Sequence, residues 1–186
     1  MKYQNNELFE YFDSIIADVP DFPKAGIIFK DITPVLEDKE AFKKAIDAFI
    51  DMAKDFDFDK VLAADARGFL FGAPVAYALN KGLSVARKPG KLPRPGKSCS
   101  YDLEYGSNTL LISEGSIKPG EKVLVIDDLL ATGGSAYAMC DLVKQSNATP
   151  VACLFLVELC LLKGAENIKN KVGVDSYSLV KYIDVM

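Results

Sequence analysis

The chain has 186 residues, 49% of them apolar and 26% charged, with a formal net charge of −4 and a pI near 5.0. That is ordinary for one globular domain over 1–186, and the acidity argues against non-specific binding to nucleic acid or to a membrane. Histidine is absent, which excludes Ser-His-Asp and Cys-His catalysis and every His-ligated metal site.

The opening MKYQNNELFEYF has no signal-peptide core, and no apolar run approaches the ~20 residues of a membrane span, so a cytoplasmic setting is expected. Residues 6–19 carry a stripe of Leu8, Phe12, Ile15, Ile16 and Val19, the spacing of an amphipathic helix. Pro20, Pro23 and Gly26 then interrupt regular structure, and 20–34 reads as loop, short apolar run, loop. Phe22, Ile27, Ile28 and Phe29 form either a satellite core cluster or a wall for a flat apolar ligand. Asp38 caps a second helix that runs to about residue 54, with Phe42, Ala45, Ile46, Phe49 and Ala53 as its stripe. Residues 61–64 read as a short buried strand and 65–68 as a strand-to-helix turn. Residues 69–79 read as helix despite Pro74. Arg67 stands at the carboxyl end of that strand, where it either grips phosphate or forms a surface ion pair.

After a strand at 83–86, the run RKPGKLPRPGK (87–97) places five cations in eleven residues. Such a run is either a solvated loop or a seat for a polyanion such as pyrophosphate. Gly96-Lys97-Ser98 imitates the end of a P-loop, but the spacing back to Gly90 is wrong and prolines intervene. Residues 101–106 and 109–113 alternate about Gly106-Ser107-Asn108, a hairpin able to close over a ligand. Glu104 within it is a candidate acid or base. Cys140 and Cys153 lie in apolar surroundings and read as core thiols, whereas Cys99 sits in a polar loop within reach of solvent. A strand at 151–157 ends in Glu158-Leu159, followed by a short helix at 163–169 and a last strand-like stretch at 172–180. Strands near 61, 83, 123 and 151, with helices or a hairpin between, predict an α/β fold around a parallel sheet.

One stretch organises the rest: VLVIDDLLATGGSA, 123–136. Its four apolar residues read as a strand buried on both faces. Two acids, Asp127 and Asp128, follow at the carboxyl end, then a small-residue loop, then a helix from Ser135. Unpaired N–H groups and the partial positive charge of a helix N-terminus make an anion cradle, to which Thr132 and Ser135 add hydroxyls. An anion cradle beside an acid pair suits a ligand with phosphate at one end and hydroxyls further along, such as a ribose 5-phosphate. The plain alternative is a strand-helix turn with an exposed acid pair.

This stretch resembles the phosphoribosyl-pyrophosphate (PRPP) motif of the type I phosphoribosyltransferases. Together with FPKAGIIFKDITPVL (22–36), ADARGFLFG (64–72) and RKPGKLP with SYDLEYG (87–106), it resembles the adenine phosphoribosyltransferase family in particular. The resemblance implies the type I fold, an α/β architecture with a central, mainly parallel sheet flanked by helices, a flexible hairpin loop and a small N-terminal hood. It also implies transfer of phosphoribose from PRPP to adenine, giving AMP and pyrophosphate, with Mg²⁺ held mainly by the substrate. Carried over by position, Ala131, Thr132, Gly133, Gly134 and Ser135 hold the 5-phosphate, and Asp127 and Asp128 face the ribose hydroxyls. Arg67, Arg87, Lys88 and Lys91 face the pyrophosphate. Ile28, Phe29 and Lys30 lie on one side of adenine and Leu159 on the other. Glu104 takes the purine proton, and Tyr101 and Tyr105 belong to the flexible loop. Members of the family resemble homodimers. One departure is Pro89, where a basic residue is expected; it leaves the cation loop stiffer and one charge poorer. The rival readings are a phosphoribosyltransferase for hypoxanthine, guanine or xanthine, and a PRPP-binding regulator without catalysis.

Overall fold

A computed structural model describes residues 5–102 and 107–184. Helix α1 (Asn6–Asp13) is capped by Asn5, whose side chain accepts from the Glu7 N–H at 3.0 Å, and it buries Phe12. The stripe at 6–19 is therefore not one helix. The chain leaves α1 at Ser14 and becomes strand β1 (Ala17–Pro20), paired antiparallel with β2 (Ile28–Asp31). The reason is local: Pro20 disfavours a helical residue 19 and has no N–H to give a helix. A short helix α2 (Thr33–Glu37) follows, then α3 (Lys39–Ala53), whose first turn is capped by the Asp38 carboxylate accepting from the Glu40 and Ala41 N–H groups.

Next come β3 (Lys60–Ala64), α4 (Gly68–Ala78) and β4 (Gly82–Ala86). Strands β5 (Pro95–Asp102) and β6 (Ser107–Ser113) form the hairpin, pairing Asp102 with Ser107 and Tyr101 with Asn108. The sequence pattern placed the turn at 106–108. The cross-strand contact of Ser100 Oγ with Thr109 Oγ1 at 2.9 Å fits the observed register, which puts Ser107 and Asn108 in β6. Then follow β7 (Lys122–Leu130), α5 (Gly134–Gln145), β8 (Thr149–Leu159), α6 (Gly164–Val172) and β9 (Ser176–Tyr182).

Five strands make one parallel sheet in the order β4-β3-β7-β8-β9. Both of its faces are covered, which explains why β7 and β8 read as unbroken apolar runs. Along β7 the side chains alternate: Leu124 and Ile126 pack with Phe49 and Phe71 of α3 and α4, and Val123 and Val125 with Met139 and Leu142 of α5. Cys140 and Cys153 lie in the second core with their sulfurs 3.4 Å apart, both as free thiols. Cys99 joins them there instead of facing solvent, because it lies on β5, which packs against α5; burial lifts its thiol to about 11. Among the described residues no helix is long and apolar enough to cross a membrane.

The parallel arrangement gathers Asp65, Arg87, Asp127, Glu158 and Leu159 at one edge, the carboxyl ends of the strands. Open α/β sheets receive ligands there.

Candidate active site

The acid pair is part of β7. Asp127 pairs in register with Phe155, and the ladder continues through Leu129–Val157 to Leu130–Glu158. The strand thus outlasts its apolar run, because the partner β8 supplies hydrogen bonds beyond the point where hydropathy falls. Both acids are buried, at 8% and 5% exposure. Asp127 Oδ1 accepts from the Asp128 N–H at 3.0 Å. Burial, then the neighbouring Asp128 charge, push the Asp127 carboxyl well above its ordinary range. The first residue of α4 is Gly68, and a Cβ there would lie 2.7 Å from Asp127 Oδ1. Only glycine lets α4 begin so close to the acid.

Asp128 meets Arg67. The Arg67 Nε is 2.8 Å from Asp128 Oδ2, yet that oxygen receives no aligned hydrogen bond among the described residues. The contact is an ion pair with the N–H pointing off the oxygen, so the carboxylate keeps accepting capacity. The same guanidinium lies 5.9 Å from the Phe29 ring centre, and Phe22 stands edge-on to Phe29 at 5.2 Å. Arg67 therefore joins the acid pair to the apolar segment that the sequence pattern left open as a core cluster or a ligand wall.

The loop of Ala131 and Thr132 turns into α5 through Gly133, whose φ of 84° is left-handed. Helix α5 has no side-chain cap and no acid in its first turn, so its N-terminal N–H groups and positive end are open to an anion. Helix α6 braces this loop. Asn167 Nδ2 donates to the Thr132 carbonyl at 3.0 Å. A Cβ on Gly164 would fall 2.2 Å from the Ala131 carbonyl oxygen, so the two backbones touch. In front of the loop lies a cleft of about 500 Å³. Thr132, Gly133 and Gly134 line it, with Ser100 and Tyr101 of β5 on one side and Tyr137, Asn167 and Lys171 on the other. Burial raises the Tyr101 phenol, a hydrogen bond with Asn108 works against that, and the Asp127 charge adds to the rise.

The cation loop is held by Arg87. Its Nε donates to Asp65 Oδ2 at 2.9 Å and one terminal nitrogen to the Lys91 carbonyl at 3.0 Å. Lys88 and Lys91 lie exposed on the turn beyond β4. On the apolar side, Ile28 is 42% exposed and Phe29 half-buried on β2. Lys30 points the other way: its ammonium sits 4.0 Å from the Tyr182 ring centre and pairs with Asp18. Its side chain anchors the β1–β2 unit to the sheet, leaving only its backbone for a ligand. Leu159 closes the end of β8, 9% exposed. Glu104 and Tyr105 lie outside the described residues.

Sequence reasoning passed over Gly68, Asn167 and Lys171, and also Glu158, which is buried and held by Ser178 Oγ at 3.0 Å and Lys181 Nζ at 2.9 Å. Asn167 fell inside the helix expected at 163–169, but Lys171 lay beyond it, and only the observed extension of α6 to Val172 puts the two on one face as an i, i+4 pair.

A parallel sheet whose central strand delivers a buried acid pair and then an uncapped helix N-terminus is the architecture of a phosphoribosyltransferase, and residues 34–178 match the phosphoribosyl transferase domain family. Adenine phosphoribosyltransferase of Halothermothrix orenii is 51% identical over 166 residues, covering 89% of this chain and 96% of that one. The crystal structure of the Thermoanaerobacter pseudethanolicus enzyme superposes with a TM-score of 0.89 at 44% identity, over 94% of this chain and 99% of that one. The Saccharomyces cerevisiae enzyme, solved with adenine and an imino-altritol bisphosphate, gives 0.85 at 34% identity, over 94% and 99%. The chain belongs to the adenine phosphoribosyltransferase family.

Proposed function

We propose that PRPP binds along this edge with its 5-phosphate on Ala131, Thr132, Gly133, Gly134 and Ser135 and its ribose against Asp127 and Asp128. One observation carries the reading: the strand bearing a buried acid pair runs straight into a helix N-terminus that has no anionic cap of its own. The chain transfers the 5-phosphoribosyl group from PRPP to adenine, giving AMP and pyrophosphate, as its family does. In this reaction the bond from the ribose C1 to a pyrophosphate oxygen breaks and a bond to a purine nitrogen forms. Positive charge develops on the sugar ring, and fixed carboxylates beside it stabilise that transition state. Arg67, Arg87, Lys88 and Lys91 receive the departing pyrophosphate. Ile28, Phe29 and Leu159 flank the base, backbone groups of 28–30 read its edge, and Glu104 takes the ring proton.

Mg²⁺ fits this site. Asp128 Oδ2 is buried without an aligned hydrogen bond, and hard cations take carboxylate oxygens. Two carboxylates are fewer ligands than the ion takes, so in this reading PRPP oxygens fill most of its shell. When bound, it offsets the charge that builds on pyrophosphate.

A homodimer of single-domain chains in a cytoplasmic setting completes the reading. Helix α4, GFLFGAPVAYA, has no charged residue, and it exposes Leu70 at 43% and Tyr77 at 88%. That is an apolar face of the kind isologous interfaces cover. Four free thiols suit a reducing compartment. Phosphorus NMR of PRPP titrated with the protein tests the phosphate assignment: the 5-phosphate resonance should shift, and Thr132→Val should weaken the shift. An unchanged titration in that variant would move the phosphate elsewhere.

A further inference from the structure

The loop that receives the 5-phosphate is neutral. Ala131, Thr132, Gly133, Gly134 and Ser135 offer N–H groups and hydroxyls to a dianion and no full positive charge. Among the described residues that line the 500 Å³ cleft, Lys171 alone is charged. It stands on the last turn of α6, four residues beyond Asn167, so the two share a helix face. Asn167 fixes the Thr132 carbonyl from that face, at 3.0 Å. The ammonium of Lys171 sits 5.1 Å from the ring centre of Tyr137, in the first turn of α5.

The ordinary reasons for a lysine at this place are met by other residues. The end of α6 has its own cation, Lys144, whose Nζ donates to the Val172 carbonyl at 2.7 Å. Lys169, in the same turn, is paired with Asp175 at 2.9 Å. Lys171 has no carboxylate within ion-pair distance among the described residues, and it lies against an aromatic ring at the rim of the cleft.

We propose that α6 is a working wall of the phosphate pocket, in which Lys171 supplies the cation that the 131–135 loop lacks and Asn167 sets the loop's carbonyl so that its N–H groups face the ligand. The ligand class is a sugar phosphate monoester, met at its terminal phosphate. The inference rests on the phosphate reading of 131–135. Lys171 is exposed, so its attraction works through binding and weakens with salt. It acts equally on substrate and transition state, so its loss falls on KM for PRPP.

The test compares Lys171→Met, Lys171→Arg and Ser135→Ala. Calorimetry gives the affinity for ribose 5-phosphate, and steady-state kinetics give KM for PRPP and for adenine at two ionic strengths. Lys171→Met should weaken ribose 5-phosphate and raise KM for PRPP roughly tenfold at low salt, as expected for losing one charge-assisted contact. It should flatten the salt dependence of kcat/KM for PRPP and leave KM for adenine in place. Lys171→Arg should restore both to within about twofold, because the charge is kept. If Ser135→Ala weakens ribose 5-phosphate and Lys171→Met does not, the α6 proposal falls and the phosphate loop stands. If neither weakens it, the phosphate assignment falls, and the proposal with it.

Discussion

Arg67 and Asp128 come within 2.8 Å across the carboxyl edge of the sheet, guanidinium Nε to carboxylate Oδ2, while the same guanidinium lies 5.9 Å from the Phe29 ring centre. One side chain thus touches both the acid pair and the apolar segment assigned to the base. Arg67 offsets a buried negative charge, which in the proposed reading a bound cation and sugar would share. Its tie to Asp128 is off-axis, so on the proposed reading pyrophosphate would compete for it without breaking a well-aligned hydrogen bond. Arg67→Lys keeps one positive charge but loses the planar fork. We expect kcat to fall about 10²-fold, within the range for removing one well-placed electrostatic group. Steady-state assays in both directions check it, because pyrophosphorolysis should suffer as well.

Asp127 sets a pH dependence. Its folded carboxyl is raised by burial and by Asp128, while in the unfolded chain it titrates near the ordinary ~3.9. The folded state therefore holds the extra proton between those two values. Its contribution to stability is present below pH ~4 and is lost as pH rises through the raised folded value. Asp127→Asn removes that loss and keeps an oxygen to accept the Asp128 N–H. The unliganded variant should melt higher than the parent at neutral pH, by ~2–4 °C per 1 kcal/mol gained, and the difference should vanish toward pH ~4. Activity should drop by ~10² or more. Melting curves across this range decide it; a variant less stable than the parent at neutral pH contradicts the sign.

Gly68→Ala isolates positioning. In a helix interior alanine is favoured over glycine by ~1 kcal/mol. Here the added Cβ meets Asp127 Oδ1 at 2.7 Å and the Ile126 carbonyl oxygen at 3.2 Å, so the acid must shift. A misplacement of this order costs about 10²-fold in rate. We expect a large fall in kcat with a small change in melting temperature, and a Gly68→Ala enzyme with parental kcat would show that Asp127 tolerates displacement.

Tyr182 ties the N-terminal unit to the sheet. Its ring lies 4.0 Å from the Lys30 ammonium, its hydroxyl donates to Asp13 Oδ1 at 2.8 Å, and it stands edge-on to Phe9 at 5.9 Å. Tyr182→Leu removes all three contacts and Tyr182→Phe only the hydroxyl. The leucine variant should raise KM for adenine about three- to tenfold, the scale of one desolvated cation–ring contact, while KM for PRPP moves less. Equal rises in both constants would mean that the anchor does not act through the base segment.

How much of this was legible before the structure differs from residue to residue. The strand at 123–126 was readable because burial on both faces leaves an unbroken apolar run. Its continuation through Asp127 to Leu130 was not, because a ladder to β8 holds it and hydropathy carries no record of a partner's hydrogen bonds. The loop proposed to hold phosphate stood out through its place after the acid pair, since glycines and hydroxyls at a helix start suit a plain strand-helix turn as well. Its brace at Asn167 and Gly164 was hidden by sequence distance, with Asn167 thirty-five residues from Thr132. Lys30 was readable as a site position but not as an anchor, because alternation along β2 turns its side chain inward toward Tyr182. The stripe at 6–19 satisfied helical spacing, and only the proline at 20 argued for strand.

The most direct measurement mixes the protein with PRPP and Mg²⁺, supplies adenine, hypoxanthine, guanine or xanthine separately, and follows nucleotide and pyrophosphate together. AMP and pyrophosphate are expected in equal amounts from adenine, with little product from the oxopurines, and a large loss of rate on Glu104→Gln. Product from an oxopurine at a comparable rate would keep the phosphate half of the site and contradict the base pocket. PRPP binding without product from any base would contradict the catalytic reading itself.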